Sequence, residues 1–224
     1  MTEAGKKGIV LHHLNNSRSQ RILWLLEELG IEYELKIYKR VNGVAPPELK
    51  QVHPLGKSPV ITDGDTVIAE SAVIIEYLIN KFGKFQPPQD EALRNQYNYW
   101  MHYAEGSLMT PLVVKLIMST IQHQAPWYVR PISNGIVGSV DNNYLKPTLD
   151  SHFDFVESSL ANAKEWFVGD ELTGADFQMS FPLEASASRV DLSNRPSISA
   201  YIQRIHNRPA YKRALEKGGP YNYA

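Results

Sequence analysis

Two periods of apolar and polar positions run along the chain, and the switches between them mark its elements. Residues 8–14, GIVLHHL, are apolar enough for a buried strand, and Asn15 and Asn16 then interrupt it with turn-favouring side chains. Ile22, Leu23, Leu25, Leu26 and Leu29 recur at helical spacing directly afterwards. A strand, a polar turn and a helix therefore follow one another, with Ser17 in the first turn of the helix or just before it. Residues 32–38, EYELKIY, alternate as a half-buried strand does. That completes a βαβ unit, for which a right-handed crossover is expected. A Gly-containing loop, a short helix led by Pro46 and Pro47, and the dense turn HPLGKSP at 53–59 come next. Residues 60–62 and 66–69 read as two strands around a Gly64-Asp65 hairpin turn. Glu70 and Ser71 then introduce a helix with Ile74, Ile75, Leu78, Ile79 and Phe82 on one face.

Past the Gly- and Pro-containing linker GKFQPP at 83–88, the pattern is helical throughout. Residues 90–122 read as one long helix kinked at Pro111, and residues 126–164 as a second, bent near Gly135 or Gly138. Thr173 and Asp176 make a capping box for a helix over 177–187, with Asp in place of the usual Glu. That spacing gives Asp176 a structural role, holding N–H groups of its own helix, rather than a catalytic one. Residues 196–207 and 209–217 are two helices led by proline, and the tail GGPYNYA reads as loose. The expected fold is an α/β domain with a mixed four-stranded sheet over residues 1–85, followed by an all-α domain over residues 90–224.

Composition narrows the chemistry. The 224 residues suffice for one large domain or two small ones with a real core. Basic and acidic side chains nearly cancel, 23 against 24, so nothing marks a nucleic-acid binder. There is no cysteine, which excludes disulfides, thiolate metal sites and any mechanism that uses the protein's own thiol. The opening MTEAGKKG lacks the apolar stretch of a signal peptide. The apolar run at 112–118 is short and carries Lys115, so it does not span a bilayer.

A small α/β half followed by a helical half, together with four local motifs in order, resembles the cytosolic glutathione S-transferase family, in particular its serine-type bacterial and fungal members. SRSQRILWLLEEL looks like that family's catalytic-serine turn and first helix. HPLGKSPVI looks like the loop that carries its cis proline. AESAVIIEYL looks like the acidic-Ser pair opening the third helix, and LTGADFQMSFPL like the capping box of the sixth. The resemblance covers nearly the whole chain and implies a thioredoxin-like first domain.

It also implies glutathione as co-substrate, with no bound cofactor and no metal. On that resemblance Ser17 is expected to donate a hydrogen bond to the glutathione sulfur and stabilise its thiolate, although Asn16 and Asn15 lie in the same turn with amide donors of their own. The backbone of Ser58, before Pro59, pairs with the cysteinyl peptide. Lys57 and His53 serve the glycyl carboxylate, Ser71 the γ-glutamyl carboxylate and Glu70 its amine. The electrophile pocket is expected from the helical half, at Tyr103, His102, Met109 and Trp127, with Tyr99 and Leu112 as further candidates. The implied activity is conjugation of glutathione to hydrophobic electrophiles, with peroxide reduction as a side activity. A glutathione-dependent disulfide reductase and a non-catalytic module of the same fold are the competing functions. A cytoplasmic homodimer is expected, with Tyr97 and Tyr99 at its interface and with neither nucleic acid nor a membrane span involved.

Overall fold

A computed structural model describes residues 8–223. The absence of a leader, read from the first eight residues, thus rests on positions that lie almost wholly outside the described ones. Four strands form one sheet: β1 (Ile9–Leu14), β2 (Tyr33–Tyr38), β3 (Val60–Asp63) and β4 (Thr66–Ala69), in the order β2-β1-β3-β4. β1 and β2 are parallel, with Ile9 opposite Tyr33, whereas β3 runs antiparallel to both β1 and β4. The parallel pair needs a crossover, and α1 (Ser19–Leu29) supplies it. The hairpin turn at Gly64 closes β3 onto β4, with φ of 61° at the glycine.

The leucine-rich stretch reads as an amphipathic face, but α1 is buried on nearly every side; only Glu28 is half-exposed. One face meets the sheet, and the others meet α8 (Gly174–Ala187) and α10 (Pro209–Gly218). The two glutamates of α1 are therefore paired, whereas the buried Gln20 amide has no side-chain hydrogen-bond partner among the described residues. Glu27 takes Arg213, Lys217 and the Tyr33 hydroxyl, and Glu28 takes Arg208 and the Trp24 indole. The remaining elements are α2 (Leu49–Val52), α3 (Ser71–Phe82), α4 (Glu91–Tyr103), α5 (Met109–Gln124), α6 (Arg130–Val140), α7 (Lys146–Asn162) and α9 (Pro196–Asn207).

Both long helical stretches carry a π-helical turn. The irregularity in the first long helix is a π-helical turn at Ala104–Leu108, upstream of Pro111. The second helix has its own at Asp141–Leu145, past Gly135 and Gly138 and just before Pro147. One rule covers both. Proline lacks an N–H and crowds the carbonyl four residues earlier, and a widened turn ahead of it lets it fall in the first turn of a new segment, where no N–H is needed. Residues Glu91–Gln124 thus form one continuous helix, long and apolar enough by length and composition to cross a bilayer, a test that core helices also pass. The seven-residue apolar run at 112–118 is only a part of that helix.

The tail is also a correction. Tyr221 donates to buried Glu184, the Asn222 N–H donates to Asn16 Oδ1 at 2.8 Å, and the Tyr223 ring packs against Phe181. It is loose in composition but tied down by tertiary contacts.

Gly174 joins the two halves at the start of α8, where its N–H donates to the Phe85 carbonyl at 3.1 Å. A Cβ there would sit 2.5 Å from the Tyr97 hydroxyl and 3.2 Å from methyls of Ile75 and Ile79. Gly174→Ala is expected to lower stability by about 1–3 kcal/mol through overpacking, read as a shift in the urea midpoint.

Candidate active site

The turn after β1 is built by hydroxyls rather than by a helix cap. α1 starts at Ser19, with Arg18 before it in helical conformation and no side-chain cap. Ser17 is buried and donates to the Leu14 carbonyl at 2.7 Å. Its oxygen lies 2.8 Å from Ser19 Oγ, which in turn lies 2.9 Å from His13 Nδ1. Burial pushes the His13 imidazole down to about 4, so it stays neutral at physiological pH and keeps this hydroxyl chain uncharged. Asn15 accepts the Arg40 N–H at 2.9 Å and faces away from the hollow beyond the turn. Asn16 stands at φ 48°, in the left-handed region that asparagine tolerates. Its Oδ1 is taken by the tail, while its amide N–H groups have no protein partner among the described residues.

The Ser58–Pro59 peptide is cis. Ser58 Oγ donates to the His12 carbonyl at 3.0 Å and accepts from the Leu14 N–H, which ties this loop to the end of β1. Among the described residues, the backbone N–H and C=O of Ser58 have no protein partner. Next to it, Glu70 holds φ 70°, a conformation costing roughly 1–3 kcal/mol in a non-glycine residue and concentrated at functional sites. Ser71 follows as the buried first residue of α3, where the first backbone N–H groups have no intrahelical acceptor.

These groups border two adjoining cavities. One, of about 320 Å³, is lined by His53, Lys57, Ser58, Glu70 and Ser71, with Arg18 and Glu105 closing it. The other, of about 380 Å³, is lined by Asn16, Ser17, Lys57 and Ser58 on one side and by residues of the helical half on the other. Arg18, Lys57 and Ser58 border both. Arg18 donates to both oxygens of Glu105 at 3.0 Å, and fully buried Arg21 joins them while also donating to the Gln178 carbonyl at 2.6 Å. Burial pushes the Glu105 carboxyl up, but Arg21 and Arg18 outweigh it and hold the group below the ordinary carboxylate range. Glu105 is therefore a fixed negative charge on the cavity wall.

Residues 6–80 match the family model for the glutathione S-transferase N-terminal domain, and residues 125–209 the model for the C-terminal domain. A relative in Schizosaccharomyces pombe, glutathione S-transferase 3, is 39% identical over 213 residues, which cover 93% of this chain and 87% of that one. The chain belongs to the glutathione S-transferase family. Glutathione S-transferase 1 of Saccharomyces cerevisiae is 34% identical over 221 residues, 93% of this chain and 94% of its own. The solved structure of a glutathione S-transferase from Actinobacillus pleuropneumoniae aligns with a TM-score of 0.76 at 37% identity, covering 96% of this chain and 95% of that one. As in that family, a thioredoxin-like sheet domain is followed by a helical domain.

Within this glutathione S-transferase fold, the wall opposite Ser17 differs from the one expected from sequence. Met109 lines the cavity, joined by Val113, Leu116, Phe181, Arg189 and Tyr223. Tyr103 is buried elsewhere, bonded to His152 at 2.7 Å in an aromatic cluster with Trp100 and Phe155. His102 is exposed on the outer side of α4, and Trp127 is 80% exposed in the α5–α6 loop. Leu112 is buried in the core, and Tyr99 borders a separate hollow between α4 and α7. The helical period did signal Val113 and Leu116, which lie four and seven residues after Met109 on one face. Nothing in the local sequence signals Phe181, Arg189 or Tyr223, which arrive by tertiary packing.

Proposed function

We propose that the protein binds glutathione across these two cavities and transfers its sulfur to a hydrophobic electrophile. The observation carrying this reading is that the cavities share Arg18, Lys57 and Ser58, so that one cleft offers a recognition group to each part of an extended tripeptide. The γ-glutamyl carboxylate meets the Ser71 hydroxyl and the opening N–H groups of α3, and its amine meets Glu70. The cysteinyl peptide pairs with the Ser58 backbone as an added strand edge. Lys57 and His53 take the glycyl carboxylate.

The sulfur then lies at the turn of Asn16 and Ser17. Of the three donors there, Asn16 is favoured. Asn15 faces elsewhere, and the Ser17 hydroxyl is committed to Leu14. A free thiol titrates near about 8.5, so neutral donors at this point raise the thiolate fraction at neutral pH without a general base. The thiol proton leaves to solvent, the sulfur lone pair forms a bond to the electrophilic carbon, and the leaving group departs with its electrons. Holding the two reactants side by side supplies the rest of the acceleration. On this reading residues 1–85 bind glutathione and residues 90–224 supply most of the electrophile wall. The same reading takes the protein as a cytoplasmic homodimer.

Calorimetric titration of glutathione tests the binding half. Ser71→Ala and Lys57→Ala are each expected to raise Kd about tenfold, the value of one charge-assisted hydrogen bond. Absence of any binding heat with the unaltered protein, together with no consumption of glutathione above the uncatalysed rate in the presence of chloro-dinitrobenzene, overturns the reading.

A further inference from the structure

The electrophile cavity has a charge pattern that glutathione does not explain. Four cationic side chains line it, Arg18, Arg40, Lys57 and Arg189, and no carboxylate does. Arg18 is paired with Glu105. Arg40 donates to the carbonyls of Asn15, Asn16 and Gly43 at 3.2–3.3 Å and so holds the loop in place. Lys57 borders both cavities, where the reading above places the glycyl carboxylate.

Arg189 stands apart from these. It follows α8, on the wall that Met109, Val113, Leu116 and Phe181 make apolar. Its guanidinium donates to the Leu112 carbonyl at 3.3 Å and reaches the Tyr223 hydroxyl at 3.5 Å. The Tyr223 ring lies 5.8 Å from its centre. Among the described residues, no carboxylate pairs with it. Neutral acceptors orient a guanidinium without neutralising it, and they leave some of its five N–H donors free. In an apolar wall such a group discriminates strongly for a planar anion, because a carboxylate pairs with it in a two-pronged geometry.

We propose that the second substrate is an amphipathic electrophile, an apolar reactive body carrying a carboxylate, and that Arg189 binds its anionic group. This rests on the transferase reading and adds the substrate class to it.

The test compares chloro-dinitrobenzoate with neutral chloro-dinitrobenzene, each rate divided by its uncatalysed rate. In both reactions the glutathione sulfur bonds to the ring carbon, chloride leaves, and the thiol proton goes to solvent. The kcat/KM enhancement for the benzoate is expected to exceed that for the neutral compound by about ten- to a hundredfold. Arg189→Gln is expected to collapse this ratio towards one, and Arg189→Lys to keep part of it. An unchanged ratio in Arg189→Gln overturns the proposal, as do equal enhancements in the unaltered protein. A general effect of Arg189 on the thiolate would move both substrates together and leave the ratio intact, so it counts against the proposal.

Should Arg189→Gln fail to fold, inhibition of the unaltered protein decides. Unreactive dinitrobenzoate must compete with the electrophile more strongly than dinitrobenzene does, and salt must weaken that advantage. Equal inhibition overturns the proposal. If neither electrophile consumes glutathione above its uncatalysed rate, the transferase reading itself fails, a result distinct from equal enhancements with both.

Discussion

Asn16→Gly is expected to fold normally and to lose about ten- to a hundredfold in kcat/KM at neutral pH, because a hydrogen bond to a charged group contributes roughly 1.5–3 kcal/mol. Glycine suits this position. Asn16 has φ of 48°, which glycine adopts without penalty, so the substitution leaves the turn and removes the amide together with the tail bond from Asn222. Asn16→Ala would mix that loss with backbone strain of about 1 kcal/mol. The apparent pKa of the bound thiol is expected to rise by about one to two units in Asn16→Gly, followed by thiolate absorbance against pH. Ser17→Ala should behave differently. Its hydroxyl spans the Leu14 carbonyl and Ser19, so its loss should cost stability first. If Asn16→Gly leaves the thiol titration where it was and Ser17→Ala moves it, the donor is Ser17.

The largest effect on stability is expected at Asp176. Its carboxylate accepts from the Phe167 N–H at 3.0 Å, the Thr173 N–H at 2.9 Å, the Thr173 hydroxyl at 3.1 Å and the Tyr201 hydroxyl at 3.1 Å. All of this is buried, and alanine would leave these donors without a partner. Each such orphan costs about 1–3 kcal/mol, and partial relaxation brings the expected total to about 3–5 kcal/mol. Urea unfolding measures it. A variant as stable as the parent but inactive would show that the residue serves chemistry instead.

Asp176 also predicts a pH dependence. Full burial outweighs the four hydrogen bonds and pushes its carboxyl up to about 6, above the unfolded value. The folded state then holds the proton more tightly than the unfolded chain. The stabilisation from this group is complete below about pH 4 and is withdrawn as pH rises through 6. The difference in unfolding free energy between parent and Asp176→Ala should therefore shrink over that interval.

The sheet half was legible because its signals are local. Strand alternation, the Asn-Asn break, the 53–59 turn and the Glu70-Ser71 helix start each lie within a few residues, and each positions a group at the cleft. The capping box is equally local: Thr173 and Asp176 are three residues apart in sequence and bond each other in space. What sequence left open has a common cause. Choosing among Asn15, Asn16 and Ser17 requires knowing that Arg40 occupies the first and Leu14 the third. The tail's bond from Asn222 to Asn16 joins residues 206 apart, which no periodicity encodes. The lining of the cavity opposite Ser17 was hidden for a similar reason. Aromatic residues on α4 suggested a pocket, but Tyr103 and its neighbours fill core space against α7, and the wall is drawn from α5 and the chain after it.

The π-helical turn at Ala104–Leu108 has an evolutionary corollary. One surplus residue in a helix advances everything downstream by about 100° of rotation. Which side chains of α5 look into the cleft is thus a matter of phase. Excising a single residue such as Gly106 would turn Met109, Val113 and Leu116 aside and present a different stripe, with every other residue of α5 unchanged. A chain that gained or lost one residue here would line this cavity with a different stripe of α5 in a single step, without a substitution anywhere else in its wall.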